Sequence, residues 1–297
     1  FQAEDGIRDR SPSRGLGDVY KRQGFIWPPG LIALSTGKVL AVSKTAELFD
    51  PATGTWTDAK KTSTAEFSAA VPLPGGRVLV TAASSYGAAP TVSDVYTIAT
   101  GAWTTTGVMK AARNLPGVAV LASGKVLLVG GGSASQSSAE IYDPATNTWA
   151  STSAPSRGHW WPKVVTLPSG KVFVTSGRSD DANNEIYDPT SNTWAPAPAF
   201  AHARDGGGAQ LLSNGRVLFT GGLNGTSFTA DAQLFDPVAG SFSAVGSLSD
   251  ARAYMAMALL ADGRALAIGG GNGFSGLPQL SPAPHSSPTV QAAPGNF

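Results

Sequence analysis

The sequence predicts an all-β protein made of repeated four-stranded antiparallel sheets. The stretch "AEIYDPATNTWA" at residues 139–150 returns as "NEIYDPTSNTWA" at 184–195, and looser copies begin at Ala46, Ser93 and Ala232. A second motif, a turn followed by an apolar run as in "ASGKVLLV", recurs on the same spacing. No segment shows helical periodicity, and short β-branched runs between Gly, Pro and Asn clusters are typical of strands.

The spacing of the repeat is regular. Each copy of the first motif closes on an aromatic residue, and successive aromatics are 47, 46, 45 and 48 residues apart. These aromatics are Trp56, Trp103, Trp149, Trp194 and Phe242. The second motif occurs six times, so six repeats are recognisable and the last one is incomplete. The basic residues of its turn are Lys38, Arg77, Lys125, Lys171, Arg216 and Arg264.

Each repeat predicts four strands, two of which enclose an Asp-Pro turn. Proline presets φ for the second turn position, and aspartate can accept a hydrogen bond from the backbone two residues on. One later position of this turn is expected to have a left-handed backbone. The residues at this position are Gly54, Gly101, Asn147, Asn192 and Gly240.

A four-residue loop at this turn predicts that two aromatic residues face each other across the last two strands. The expected pairs are Phe49 with Trp56, Tyr96 with Trp103, Tyr142 with Trp149, Tyr187 with Trp194 and Phe235 with Phe242. Such pairs stabilise a sheet by roughly 0.2–1 kcal/mol each. A small four-stranded sheet cannot bury both faces alone, and stacking such sheets about an axis does so. The sequence therefore predicts a β-propeller with these aromatics packed between blades.

Residues 25–276 resemble the kelch family of β-propellers. The form "LxxGKVLxxGG…AExYDPATxTW", with glycine doublets such as Gly130–Gly131 and Gly221–Gly222, is most similar to bacterial kelch proteins related to the galactose oxidase propeller. The first two repeats depart from the pattern, because Ser43–Lys44 and Ala82–Ala83 replace the doublet. The resemblance implies the kelch-type fold and says little about activity.

Composition restricts the classes of partner. The chain has 21 basic and 20 acidic residues, so its charge gives no reason to expect nucleic acid. It has no cysteine, which excludes disulfides, thiolate metal sites and cysteine nucleophiles. No apolar run approaches the roughly 18 residues of a membrane span.

The two ends differ from the repeats. Residues 1–23 carry nine charged residues, begin without Met and resemble translated sequencing-adapter sequence, so we expect a non-native leader there and the β-propeller at 24–276. Residues 277–297 hold five prolines and predict a linker or tail. We therefore expect a truncated fragment of a metagenomic reading frame, whose intact form is secreted or on the cell surface.

The two ends of each sheet differ in variability. Antiparallel strands place the first-to-second and third-to-fourth turns at one end, where the sequences are nearly uniform. The second-to-third loops and the links between blades lie at the other end, and there "SASQSS", "RSDDAN" and "LNGTSFTA" diverge. Variable loops on a rigid scaffold often carry binding residues.

Ten residues of the links are candidates for binding, because they are expected to begin the innermost strands and surround the mouth of a central channel. They are Arg113, Arg157, His159, Trp160, Trp161, His202, Arg204, Asp205, Arg252 and Tyr254. Arginine suits carboxylate or phosphate recognition, and Trp or Tyr can stack on sugars. The alternative is that the arginines pair with the acids near the start of the third strands, Glu47, Asp94, Glu140 and Glu185, in a structural role. Strand alternation allows only one of Trp160 and Trp161 to face the channel.

Signals for catalysis are weak. The resemblance to galactose oxidase implies a copper site in the stretch "RAYMAMALL", but Met255 stands where that family has a His ligand, and the Cys partner of its radical Tyr cannot exist here. The three His include no metal-spaced pair. We therefore expect no catalytic residue, metal or cofactor.

The sequence thus favours a non-catalytic module that binds a protein or a glycan on the variable-loop face. The alternative is a carbohydrate-active enzyme, or a degenerate relative of galactose oxidase, that uses the same channel mouth. The sequence does not predict the oligomeric state.

Overall fold

The computed structural model describes residues 30–42, 45–60, 66–83, 91–132, 137–178, 180–260, 262–268, 270–271 and 291–292. Within residues 66–83, it describes side chains only from Ala69 to Thr81. The predicted leader, the Ser43–Lys44 position and His285 lie outside them, as does most of the predicted tail. The chain divides into two compact units, the first of which ends at Val108 and the second of which begins at Met109. The proposed domain limits 24–276 remain a prediction.

The first unit contains two four-stranded antiparallel sheets in sequential order. Sheet 1 comprises β1 (Gly30–Ala33), β2 (Val39–Val42), β3 (Ala46–Asp50) and β4 (Thr55–Asp58). Sheet 2 comprises β5 (Glu66–Leu73), β6 (Arg77–Ala83), β7 (Asp94–Thr97) and β8 (Ala102–Thr105). A bulge interrupts the β5–β6 register between Phe67 and Ala69.

The second unit contains three further four-stranded sheets, a three-stranded sheet and a short hairpin. Sheet 3 comprises β9 (Gly117–Val120), β10 (Val126–Val129), β11 (Ala139–Asp143) and β12 (Thr148–Ser151), and sheet 4 comprises β13 (Val164–Thr166), β14 (Val172–Thr175), β15 (Asn184–Asp188) and β16 (Thr193–Ala197). Sheet 5 comprises β17 (Gly208–Leu211), β18 (Val217–Thr220), β21 (Ala232–Asp236) and β22 (Ser241–Val245), with the hairpin β19 (Leu223–Asn224) and β20 (Ser227–Phe228) in its second-to-third loop. Sheet 6 comprises β23 (Ala256–Leu259), β24 (Ala265–Ile268) and β25 (Gln291–Ala292).

The sixth repeat gains a strand that the sequence did not predict. β25 pairs with β24 through Ala267 and Gln291, although residues 291–292 fall in the predicted tail. The sequence "VQAA" around these residues is too short and too close to prolines to be distinguished from a linker by periodicity.

All five predicted aromatic pairs are confirmed. Each pair is in direct register across the last two strands of its sheet, with ring centroids 4.8–5.1 Å apart. The indole of Trp103 donates to the Ala59 carbonyl, and that of Trp194 to the Ser153 carbonyl, which immediately follow the outer strands of the preceding sheets. The large rings therefore pack between sheets, as the sequence predicts.

The predicted turn chemistry is also confirmed. The five predicted left-handed positions have φ between 54° and 68°. The Asp carboxylate accepts from the backbone two residues on in the turns at Asp50, Asp143, Asp188 and Asp236. The same carboxylates pair with the basic residues of the neighbouring turn, Lys38, Lys125, Lys171 and Arg216. These pairs are exposed, so each contributes less than about 1 kcal/mol.

Apolar clusters lie between consecutive sheets within each unit. One cluster joins sheets 1 and 2 around Leu40, Val80 and Tyr96. In the second unit, separate clusters join sheets 3 and 4, sheets 4 and 5, and sheets 5 and 6. The strands that carry them are fully buried, as in β10, β14 and β18.

Because the glycine doublets carry no side chains, the link backbone of the next sheet can approach the end of the second strand. A Cβ on Gly130 would stand 2.2 Å from the His159 carbonyl of the next sheet, and one on Gly221 would stand 2.4 Å from the Arg252 carbonyl. The following glycines, Gly131 and Gly222, donate hydrogen bonds to these same carbonyls at 3.0 and 2.9 Å. The doublet therefore serves sheet-to-sheet contact, which explains why the motif carries it.

We predict that Gly130→Ala destabilises the protein by at least about 2 kcal/mol more than Gly170→Ala. Both glycines have left-handed backbones, φ 64° and 81°, so both substitutions cost about 1–2 kcal/mol of backbone strain. Only Gly130 faces another backbone, whereas nothing lies within 4 Å of a Cβ on Gly170. Urea unfolding of the two variants measures the difference, and equal losses would contradict the role assigned to the doublet.

Candidate functional site

The candidate site lies in the second unit, on four link segments that precede the innermost strands. We define them as residues 113–117, 159–163, 204–208 and 252–256, which occupy equivalent positions in sheets 3 to 6. In sheets 3, 5 and 6 the second residue of the link segment forms a β-bridge with the start of the second-to-third loop. The bridges join Asn114 with Gly132, Asp205 with Leu223 and Ala253 with Gly271. The link segments and the variable loops therefore occur at the same end of each sheet.

The first residue of each link segment is a buried cation or imidazole: Arg113, His159, Arg204 and Arg252. The Arg113 guanidinium donates to the Gly130 and Ser138 carbonyls, and to the Glu140 carboxylate at 3.1 Å. Burial lowers the pKa of Arg113, and the charge of Glu140 opposes this effect. This geometry is that of a structural ion pair.

His159 and Arg204 repeat this arrangement with different partners. His159 contacts the Thr175 carbonyl and the Glu185 carboxylate, both at 2.8 Å. Burial opposes ionisation of Glu185, but hydrogen bonds from His159 and Ser156 hold its pKa below its usual value. Arg204 bonds the Gly221 carbonyl and the Asp231 carboxylate. Two of the third-strand acids that were expected to form such pairs therefore contact the first residue of the link segment in their own sheet: Glu140 contacts Arg113 and Glu185 contacts His159.

The strand acids also satisfy the backbone that leads into the link segments. The Glu140 carboxylate accepts from the amides of Lys110 and Ala111, at 2.9 and 3.1 Å. This group lines an open pocket of about 170 Å³ beside Arg113 and Ser138. Glu140 is 1% exposed and accepts hydrogen bonds from the Lys110 and Ala111 amides and from Arg113. These internal contacts explain why the carboxylate is buried beside the pocket.

Two further candidates, Arg157 and His202, lie two residues before a link segment. Arg157 is exposed and lies 3.9 Å from Asp181. His202 is partly exposed and contacts the Asp231 carboxylate at 2.9 Å, which Arg204 also bonds. Arg252, the buried first residue of its segment, pairs at 3.2 Å with Asp250, which precedes it by two residues. All three side chains therefore contact acids.

The third residue of every link segment has a left-handed backbone. The φ values are 53° at Leu115, 45° at Trp161, 63° at Gly206 and 59° at Tyr254. Such values are uncommon for bulky residues, and they occur most often at functional sites. The innermost strands begin only at the fifth residue of a link segment or after it. The prediction that the first residues of these segments, such as Arg113 and Arg204, begin the innermost strands was therefore wrong.

The bend also changes the arrangement of Trp160 and Trp161. Strand alternation would place them on opposite sides, but both rings are half-buried with centroids 6.5 Å apart, in an edge-to-face geometry. Trp161 is not in an extended conformation, so strand alternation does not apply here, and the expectation that one of the two rings faces the channel stays a prediction. Its indole nitrogen lies 3.4 Å from the Cβ position of Gly132, in the loop of sheet 3.

Asp205 and Tyr254 meet across sheets 5 and 6. The Tyr254 hydroxyl donates to Asp205 Oδ2 at 3.3 Å, and its ring covers Gly206, where a Cβ would clash at 2.6 Å. Burial raises the pKa of Asp205 to about 6, despite the Tyr254 hydroxyl, the Lys163 charge and the Gly206 amide, which lower it. Burial, and then the Asp205 charge, raise the pKa of Tyr254 well above its ordinary value.

Lys163 is the residue that the sequence analysis missed. It is the fifth residue of its link segment, where the other sheets have Gly117, Gly208 and Ala256. It is half-buried, and burial lowers its pKa while Asp205 raises it. Aligning the four link segments by column would have revealed a single charged residue among small ones.

The described part of the chain contains no group of three His, Asp or Glu side chains arranged to hold a metal ion. Nor does it contain a helix that is long and apolar enough to cross a membrane.

We predict that Arg113→Ala lowers the free energy of unfolding by about 3–5 kcal/mol, because it leaves the Glu140 charge buried without its cation. Lys125→Ala in the same sheet is the matched control, since its pair with Asp143 is exposed and the loss should stay below about 1 kcal/mol. Urea unfolding of both variants tests this. Similar small losses would instead favour the ligand-binding alternative for Arg113.

We predict that Asp205→Asn raises the melting temperature at pH 7. The folded pKa of this acid lies above its unfolded value, so the folded state binds the proton more tightly. Wild-type stability should therefore gain about 2 kcal/mol as pH falls from above 6 to below 4, and the variant should lack that gain. Thermal unfolding from pH 4 to 8 measures it.

The control for this prediction is Asp180→Asn, an exposed carboxyl whose pKa is held low by its hydrogen bond from Arg178. That variant should gain no stability at pH 7. A pH profile of Asp205→Asn that parallels the wild type would contradict the raised pKa of Asp205.

The comparisons with known proteins bear on this fold. Residues 115–154 match the family model described as Kelch motif, and this match spans all four strands of sheet 3. A search of the curated proteins finds no match to the chain. Kelch domains generally mediate protein interactions. The kelch motif and the repeated four-stranded antiparallel sheets together fit a kelch-repeat β-propeller.

Proposed function

We propose that this protein is a non-catalytic binding module whose ligand, a protein or a glycan, is met at the variable-loop end of the sheets. The observation that carries the proposal is the difference between the two ends. At one end the Asp-Pro turns repeat nearly the same structure, with a carboxylate bonding the backbone two residues on. At the other end the loops differ in length, structure and charge.

The loops of sheets 4 and 5 illustrate this variety. In sheet 4 the loop carries an exposed bidentate pair of Arg178 with Asp180, at 2.8 and 2.9 Å. In sheet 5 the loop forms the hairpin β19–β20, whose tip exposes Asn224 and Thr226. Loops that vary on a repeated scaffold are well suited to ligand selection, because they change without altering the core.

The proposal locates binding on side chains that the fold leaves accessible. Arg113 and His159 are fully buried, so their substitution acts first on stability. Trp160, Trp161, Asp205 and Tyr254 are only half-buried and belong to the same end. We therefore assign binding to these four residues with the adjoining loops, and a supporting role to the buried cations.

One observation favours a second candidate, a carbohydrate-active enzyme that uses the same end. The Asp205 carboxyl has a pKa of about 6, in the range suited to proton transfer near neutral pH. Release of new reducing ends from an oligosaccharide, lost in Asp205→Asn, would favour this candidate over the binding module.

We predict that charges added at the variable-loop end abolish ligand binding. The loop variant is Asn183→Lys, Asn224→Lys and Thr226→Lys. The control variant places the same three lysines in the opposite turns, at Ala145, Thr190 and Val238. All six positions are exposed, so both variants should fold.

The measurement uses ligands selected on the wild-type protein from a displayed peptide library and an oligosaccharide array. We expect the loop variant to lose at least about tenfold in affinity for them and the control variant to keep it, because the ligand contacts only one end. Loss confined to the control variant, or no ligand from either library, would overturn the proposal.

A further inference from the structure

Three polar side chains of the link segments lie in successive sheets of the second unit: Lys163 in sheet 4, Asp205 in sheet 5 and Tyr254 in sheet 6. The Tyr254 hydroxyl bonds Asp205 directly, at 3.3 Å, and the charge of Lys163 acts on the same carboxylate. Tyr254 and Asp205 are therefore in contact, and Lys163 is counted with them in one polar cluster through its charge alone, although the three residues span about ninety positions of the sequence.

The Asp205 carboxylate is only partly satisfied. Its Oδ2 accepts from Tyr254 and the nearby Gly206 amide lowers its pKa, but no described group makes a hydrogen bond of normal geometry to its buried Oδ1. An unsatisfied buried acceptor costs free energy that a bound donor would recover. Natural proteins contain few such atoms, and a ligand site is one explanation for them.

Lys163 supplies the opposite charge without closing an ion pair. Its ammonium interacts electrostatically with Asp205, yet in the described part of the chain no carboxylate lies within the 4.0 Å of a salt bridge to it. The lysine is half-buried, so its charge is partly removed from water. A ligand group that donates a hydrogen bond to Asp205 Oδ1 is therefore also subject to the charge of Lys163.

The backbone holds this cluster in a strained form. Tyr254 has φ of 59° and Trp161, two residues before Lys163, has φ of 45°. The Tyr254 amide bonds the Gly206 carbonyl at 2.7 Å, which fixes the ring over that glycine. The same left-handed bend occurs in all four link segments, so it positions these side chains and does not by itself mark a ligand site.

The chemistry of the cluster restricts the ligand. A phosphate would be repelled by Asp205, and a single carboxylate is too few ligands for a metal ion, in agreement with the lack of metal-holding groups among the described residues. A neutral sugar has neighbouring hydroxyls that can donate to Asp205 Oδ1 and accept from Lys163 at once.

We propose that Lys163, Asp205 and Tyr254 form a binding site for a neutral saccharide, through two neighbouring hydroxyls of one sugar residue. This inference rests on the proposed function, and it assigns a ligand class and a location to it.

The test measures binding of the full chain to immobilised gluco-, galacto-, manno- and xylo-oligosaccharides by calorimetry or biosensor. The variants are Asp205→Asn, Lys163→Gln and Tyr254→Phe, the last of which keeps the ring over Gly206. The controls are Asp188→Asn and Lys171→Gln, which form a pair at the opposite end of sheet 4. We expect at least tenfold weaker binding for Asp205→Asn and Lys163→Gln, a smaller loss for Tyr254→Phe, and none for the controls.

The outcomes separate this inference from the proposed function. If a neutral saccharide binds and Asp205→Asn leaves its affinity unchanged, the assigned site is wrong. If no neutral saccharide binds while selected peptides bind at the variable-loop end, the inference fails and the binding module stands. If saccharides bind and the loss is confined to the turn variants at Ala145, Thr190 and Val238, the proposed function fails as well.

Discussion

Backbone contact between sheets at the glycine doublets is the constraint on which the second unit depends. The His159 carbonyl occupies the space where a Cβ of Gly130 would stand, and it accepts a hydrogen bond from Gly131. Arg252 and Gly221–Gly222 repeat the contact in the last pair of sheets. Because two backbones meet at this point without side chains between them, the link segment of sheet 4 is held to sheet 3 and that of sheet 6 to sheet 5. The apolar clusters and aromatic pairs then fill the remaining space.

The arginines that begin the link segments of sheets 3 and 5 contact their own sheets. Arg113 and Arg204 bond the carbonyls of the doublet glycines, Gly130 and Gly221, and the acids beyond them. A guanidinium satisfied in this way strengthens the scaffold and has little left to offer a ligand. The side chains that a ligand can reach belong to the residues that follow, at the left-handed bend and after it.

The bend connects stability with function. Leu115, Trp161 and Tyr254 adopt a conformation that costs free energy for any residue with a Cβ. Glycine stands at this position only in sheet 5, where the Tyr254 ring lies against Gly206 and leaves no space for a side chain. The carboxyl of Asp205, next to that glycine, is buried at the expense of stability near neutral pH. Proteins commonly keep such unfavourable groups where a ligand makes use of them.

Much of the fold could be predicted from the sequence, and less of the site. The register of Tyr142 with Trp149 and the left-handed backbone at Asn147 follow from a turn of four residues, which the letters "DPATN" specify. Lys163 was missed because its importance comes from Asp205, more than forty residues away and in another sheet. The orientation of Trp160 and Trp161 could not be derived from strand alternation, because the backbone bends at Trp161.

The sequence by itself determined the repeat, the pairing of strands within each sheet and the turns, because these depend on residues close together along the chain. The tertiary structure decided which polar side chains are buried as supports and which remain accessible. That choice depends on where one sheet's backbone meets the next. The contact of His159 with Gly130 and the bond of Tyr254 to Asp205 exist only when neighbouring sheets are packed together.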